Sequence, residues 1–238
     1  MLLKRLFMKT IFLFLFSTLI IQTASWAQLS NAKEKAVKIA LANTKNLVGI
    51  EQLLVVYTED TAQRKATFVV VEKKEDKWVV MMDPVLASIG RNGFAAKGKK
   101  KEGDGKTPTG IYNLGRLFTY EPSLNTRLSF KQVDSNDKWI DDPKAPDYNT
   151  YVRGATSAVS FEHLLLNSFD YKYCMVIEYN THPVKKGKGS AIFFHLADEN
   201  YTPTSGCVAI HEMDMLPILN WLDPYKKKAI LLAGVNRL

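Results

Sequence analysis

The chain has few of the residues that usually announce a chemistry. There are two cysteines, Cys174 and Cys207, and four histidines in 238 residues. That is too little for a disulfide framework, and no His/Cys/Asp/Glu cluster has metal-ligand spacing. No glycine-rich phosphate loop and no dinucleotide fingerprint follows a strand, so no cofactor is expected. There is no internal repeat and no linker strong enough to split the chain. Strands do not alternate with helices, which excludes a doubly wound parallel sheet.

The only long apolar run is at the start. Lys4, Arg5 and Lys9 precede an apolar stretch from Ile11 to Ile21, and Ala24-Ser25-Trp26-Ala27 places small residues before a cut after Ala27. This is the layout of a secretory signal peptide, expected over 1–27. The run falls short of the roughly 20 residues of a comfortable span, so no stable membrane span is expected after cleavage. The net charge is +8, or +5 without the three cations of residues 1–27. A basic surface suits an anionic partner such as a cell-wall polymer or membrane surface, and export makes nucleic acid the least fitting.

Asn31 to Leu47 reads as a helix, with Ala36, Ile39, Ala40 and Asn43 on one face, within an N-terminal arm over 28–50. Strand patterns follow at Leu53–Tyr57, Ala66–Val71 and Lys77–Met82, then at Lys172–Tyr179, Ser190–His195, Val208–Ile210 and Ala229–Leu232. A short helix fits Phe161–Leu166, and a second fits Asp214–Leu222, where Pro217 would fall among the first N–H groups. Thr119 to Arg153 has weak periodicity and reads as a long loop excursion. The fold class is therefore mainly β, a sandwich or barrel with a few peripheral helices and a long loop insertion.

Chemistry concentrates in Phe193-Phe194-His195-Leu196 and Pro203-Thr204-Ser205-Gly206-Cys207-Val208. A thiol is a nucleophile only as thiolate, and a neighbouring imidazole is the usual means to it. Pro203 and Gly206 turn the chain so that His195 and Cys207 can meet. The backbone N–H groups of Ser205, Gly206 and Cys207 could hold a developing oxyanion. Cys207 would attack a carbonyl, His195 would move the proton, and a thioester would form. His211, four residues from the thiol, is the rival base; His182 lies in a polar turn. A Cys174–Cys207 disulfide would silence this site, and Cys174, in an apolar run, reads instead as a buried free thiol. Five glycines and six basic residues lie between Gly90 and Lys106. Lys97–Lys106 is either a solvated loop or a rim for an anionic substrate.

The segments Ile89–Gly93, Glu102–Gly110 and Gly189–His195, with the downstream Ser-Gly-Cys, resemble the L,D-transpeptidase family, the YkuD-type catalytic domain. The resemblance implies a YkuD-like β fold over 51–238, with Cys207 as nucleophile, His195 as proton donor and acceptor, and the backbone at Leu196 orienting the imidazole. It implies a peptidoglycan stem tetrapeptide as donor, cut before D-Ala. The acceptor would be an amine on a neighbouring stem or on a wall-anchored protein, in the periplasm or cell wall. Water as acceptor would make it an L,D-carboxypeptidase or amidase. A non-catalytic wall-binding module is the third reading, because Ser205 stands where the fuller motif has histidine, and Ala209 where many members have arginine or asparagine. Arg91, Asn92, Asp141, Asp142 and Asn149 are candidates for the missing polar work on substrate. Trp139, Asp141 and Asp142 also read as residues that simply hold the long loop together.

Overall fold

The computed structural model describes residues 27–234. The expected signal segment therefore lies outside the described residues except for Ala27, which lies in helix α1, described over 27–42. Ala36, Ile39 and Ala40 are buried on its inner face. The helix stops earlier than the pattern suggests. Asn43 leaves helical geometry and its side-chain amide donates to the Ile39 carbonyl at 2.9 Å, after which Thr44–Asn46 makes one 3₁₀ turn.

Thirteen strands follow: β1 (Gln52–Thr58), β2 (Lys65–Lys74), β3 (Lys77–Val80), β4 (Val85–Ser88), β5 (Gly110–Thr119), β6 (Phe130–Gln132), β7 (Asp137–Ile140), β8 (Tyr151–Arg153), β9 (Phe161–His163), β10 (Tyr173–Ile177), β11 (Phe193–Leu196), β12 (Val208–Ile210) and β13 (Lys228–Gly234). Strands β1-β13-β5-β10-β11-β12-β4-β2 pair in that order and β2 returns to β1, closing a ring. Closure removes the free edges a flat sheet would expose. β3 and β6 hang from β2 and β5. Helix α2 (Glu212–Trp221) lies between β12 and β13 in sequence.

Side chains alternate across each strand, so the ring has two differently covered faces. Leu54, Val56, Phe68, Val70, Met175, Phe194, Val208, Ile210 and Ile230 share one core, to which α2 adds Met215, Ile218 and Leu219. Phe68 and Phe194 stack there at 5.2 Å. The other faces of β1, β2 and β13 (Leu53, Val55, Val69, Val71, Leu231) pack against Ala36, Ile39 and Ala40 of α1. Burial on both faces explains why β1 reads as an unbroken apolar run and is buried at every residue. Pro217 sits two residues deeper in α2 than expected. The carbonyl it leaves unpaired, four residues back, belongs to the exposed Met213, where water can serve it.

Two expectations are corrected here. The excursion from Thr119 to Arg153 is no loop: it carries β6, β7 and β8, and β7 pairs antiparallel with β8 and β9 in a separate three-stranded sheet. Phe161–Leu166 is no helix: Phe161, Glu162 and His163 form β9, opposite Ile140, Trp139 and Lys138. Strands of three or four residues are too short to show a period, and pairing with β7 overrides local preference. Buried Asp137 ties the sheet together. Its carboxylate takes the Tyr151 hydroxyl and the Arg153 guanidinium, the latter at 3.0 and 3.1 Å. The small sheet covers the outer face of β10 and β11: Trp139 stands edge-on to Phe193 at 5.4 Å, beside Tyr171, which precedes β10 and stands edge-on to the same ring at 5.5 Å.

Candidate active site

β11 and β12 run parallel, with Phe194 opposite Val208 and His195 opposite Ala209. Phe194 and Val208 enter the core. The period of two therefore turns Phe193, His195, Cys207 and Ala209 to the outer face. There His195 and Cys207 line one cavity of about 460 Å³, roofed in part by the small sheet. No hydrogen bond joins the two side chains among the described residues. The sulfur is held by the neighbouring backbone instead: it receives the Phe193 N–H at 3.3 Å and donates to the Ala191 carbonyl at 3.3 Å.

The electrostatics are those of a neutral pair. Burial, then the Glu162 carboxylate, push the Cys207 thiol up to about 12, against the pull of the Phe193 N–H and Lys100. Burial lowers the His195 pKa, only partly offset by the Leu196 carbonyl and Asp170, so the imidazole is neutral at pH 7. Its Nδ1 lies 2.8 Å from the Leu196 carbonyl. A carbonyl only accepts, so Nδ1 carries the proton and Nε2 keeps a lone pair for proton transfer. The Tyr171 ring stands edge-on to the imidazole at 5.2 Å.

Both cysteines are free. β11 lies between β10, which carries Cys174, and the strand that follows Cys207. Two strand spacings put their Cα atoms roughly 9–10 Å apart, beyond the ~7 Å limit of a disulfide. Cys174 is fully buried beneath the site and its thiol pKa is raised by that burial.

The turn before Cys207 is shaped by glycine. Gly206 has φ +148°, and a Cβ there would lie 2.9 Å from the Lys106 carbonyl oxygen. The Gly206 N–H already donates to Thr204 Oγ1 at 3.1 Å, which corrects the expectation that it faces an oxyanion. Among the described residues the N–H groups of Ser205 and Cys207 meet no acceptor. They are the two donors left for a developing charge.

The other candidates divide. Arg91 and Asp141 line the cavity. Arg91 donates to Ser205 Oγ at 2.8 Å, so a guanidinium now stands beside the position where the fuller motif has histidine. Asp141 takes the Ser160 hydroxyl. Asn92, Asp142 and Asn149 do not line it. Asn92 donates to the Asp104 carbonyl at 2.9 Å. Asp142 accepts the N–H groups of Lys144 and Val159 at 2.9 and 3.1 Å, the loop-holding alternative. Asn149 is buried in backbone and side-chain contacts behind the cavity wall. The rival His211 stacks on Tyr201 at 4.0 Å and meets the Asp198 carbonyl through Nε2 at 3.1 Å, away from the cavity lining.

Lys100 and Glu102, within the basic loop read as a possible rim, do line the cavity, and so do Glu162 and Tyr171, which the sequence did not mark. Within the basic run Lys97, Lys99 and Lys101 are exposed, but Lys100 is buried in an ion pair with Asp104 at 2.6 Å. Glu102 accepts from Ser190 Oγ at 2.7 Å and from the Tyr148 hydroxyl. Glu162 accepts the Tyr171 hydroxyl, and burial raises its carboxyl pKa. Only tertiary pairing of β9 brings Glu162 here, and no local signal could have marked it.

No curated protein matches the chain. Among solved structures, the helical cell shape determining protein Pgp2 from Campylobacter jejuni is similar at 17% identity with a TM-score of 0.40, over 76% of this chain. The match covers 47% of that structure, so the chain spans about half its length. The profile of the L,D-transpeptidase catalytic domain matches residues 54–230. That span runs from β1 into β13 and takes in Cys207, His195 and the turn between them, and over it the chain belongs to the L,D-transpeptidase catalytic domain family.

Proposed function

We propose that the protein is an exported cysteine L,D-transpeptidase that acts on peptidoglycan stem tetrapeptides through a Cys207 thioester. The observation that carries this is a neutral, tautomer-fixed imidazole on β11 and a free thiol immediately before the parallel β12, both facing one cavity. Family membership supports the reaction type, and no helix among the described residues is long and apolar enough to cross a membrane. In this reading Cys207 Sγ attacks the carbonyl between the third residue and D-Ala while its proton passes to His195 Nε2. The oxygen takes the negative charge against the N–H groups of Ser205 and Cys207. The C–N bond then breaks, His195 returns the proton to the departing D-Ala amine, and a thioester remains. An acceptor amine attacks the thioester, loses its proton to His195, and releases the sulfur. Water in place of the amine would release a tripeptide.

Intact-mass analysis of the protein mixed with a tetrapeptide donor tests this directly. A mass increase equal to the tripeptide acyl group, mapped to Cys207 and absent in Cys207→Ala, is the expected result. Persistent acylation of Cys207→Ala would overturn the reading. Adding an amine acceptor to the same mixture separates cross-linking from hydrolysis.

A further inference from the structure

Asn149 was a candidate for touching substrate, but the structure gives it other work. All four hydrogen-bonding positions of its side chain are used inside the protein. Oδ1 accepts the Trp139 indole N–H at 2.9 Å and the Ala191 N–H at 3.1 Å. Nδ2 donates to the carbonyls of Tyr179 and Asn180 at 3.1 and 2.9 Å. Two donors on one atom and two acceptors on the other fix which way the amide points. Asn149 itself has φ +59°, a conformation asparagine tolerates better than most residues.

What it holds is Ala191. This residue has φ +51°, a left-handed conformation alanine seldom adopts without outside support. Its N–H is tied to Asn149 and its carbonyl takes the Cys207 thiol proton at 3.3 Å. Two residues on, the Phe193 N–H donates to the same sulfur at 3.3 Å. The two contacts oppose each other. A carbonyl acceptor favours S–H, whereas an N–H donor favours S⁻.

We infer that Asn149 is a positioning residue: by holding Ala191 in its left-handed turn, it keeps the Ala191 carbonyl on the Cys207 thiol and parks the nucleophile in its protonated form. The charged and titratable groups around the sulfur are Glu162 from β9, Tyr171 and Cys174 at and beside β10, His195 from β11 and Lys100 from the glycine-rich loop. Asn149 touches none of them. Its direct link to the sulfur therefore runs through Ala191, with a second, indirect link through Trp139, which packs on Phe193 and lies opposite Glu162.

The inference rests on Cys207 being the nucleophile, but its test needs no peptidoglycan. The probe is iodoacetamide, with Cys207 alkylation followed by peptide mass mapping across pH. In Asn149→Ala the Ala191 carbonyl is released while the Phe193 N–H stays. The pH midpoint of alkylation is expected to fall, with at least a threefold faster reaction at pH 8. Asn149→Asp keeps an oxygen for the Ala191 and Trp139 N–H groups, so its midpoint should stay at or above that of the unaltered protein. With a tetrapeptide donor, Asn149→Ala should lose about tenfold in kcat with KM little changed, because Asn149 does not line the cavity. A folded Asn149→Ala with an unaltered alkylation profile would overturn the inference. So would a lowered midpoint in Asn149→Asp, which also decides the matter if Asn149→Ala does not fold. Absence of acylation by any stem peptide, with the alkylation shift present, would sink the proposed function and leave this inference standing.

Discussion

Replacing Gly206 with alanine couples the fold to the chemistry. Gly206 has φ +148° and precedes Cys207. A methyl group there meets the Lys106 carbonyl oxygen at 2.9 Å and Ile192 Cδ1 at 3.1 Å. The isoleucine can turn away, but the carbonyl is backbone, in a segment pinned by Lys106 N–H to Asp104 and Thr107 N–H to the Gly93 carbonyl, each at 2.9 Å. Backbone strain of about 1–3 kcal/mol combines with a comparable overlap penalty. The sum is about 2–6 kcal/mol, and at about 2–4 °C per kcal/mol Tm should fall roughly 4–24 °C. The less costly relaxation moves the Ser205–Cys207 turn outward. A displacement near 1 Å would cost acylation about a hundredfold. The comparison is Gly98→Ala, at φ +72° with nothing within 4 Å of the new methyl. It should lose about 1 kcal/mol and no acylation rate. Scanning calorimetry and single-turnover acylation read both quantities. A Gly206→Ala protein that melts within 1–2 °C of the unaltered one and acylates at its rate would refute the reasoning.

Glu162→Gln removes the carboxylate that helps raise the Cys207 thiol; alkylation by iodoacetamide at pH 8 should rise roughly tenfold, one pK unit, and an unchanged rate would show that burial alone sets the value. His195 has a lowered pKa in the folded state, so its contribution to stability is complete above the unfolded value near 6.5 and is lost as pH falls through the folded value. Tm should drop between pH 7.5 and 5, and His195→Gln should flatten that drop. Cys207 has the opposite sign: its folded pKa is raised to about 12, so stability is complete below the unfolded value near 8.5 and declines above it. Cys207→Ser should lose less Tm than the unaltered protein between pH 8 and 10. Lys100→Met leaves the partly buried Asp104 with backbone N–H groups only; about 3 kcal/mol should be lost, visible as a lower urea midpoint.

The readable parts of the sequence are those where one local rule decides the outcome. Apolar runs at β1, β2, β10 and β11 gave strands, because burial on both faces leaves little polar interruption. His195 and Cys207 could be singled out because few residues of either type exist, and the strand period then put both on one face. A β barrel was among the readings of the sequence, but the strand order of the ring was not readable. It depends on parallel contacts between β1 and β13 and between β11 and β12, and no local pattern encodes which strands meet. The small sheet was hidden for a related reason. Its strands of three or four residues are specified by Asp137, a buried acid that a sequence reader takes for a loop residue. Polar residues misled in the same way. Asn149 and Asp142 looked like substrate contacts because they are polar in an irregular stretch, yet both satisfy backbone groups that the fold would otherwise leave unpaired.

A thiol so reluctant to ionise is compatible with the proposed reaction. With burial holding the thiol far above the value of an ordinary cysteine, only a very small fraction is thiolate near neutral pH. A standing thiolate is therefore not what the fold provides. The fold provides a neutral imidazole with its Nε2 lone pair free, two backbone N–H groups without acceptors, and a sulfur held on backbone contacts. Each of these gains most when negative charge forms on the substrate oxygen and positive charge on the imidazole, so their contribution is largest in the transition state. In the proposed reaction the proton leaves sulfur as the carbon–sulfur bond forms. Such a site would make its nucleophile only when a carbonyl is in place, and would otherwise keep the sulfur in the form least open to oxidation.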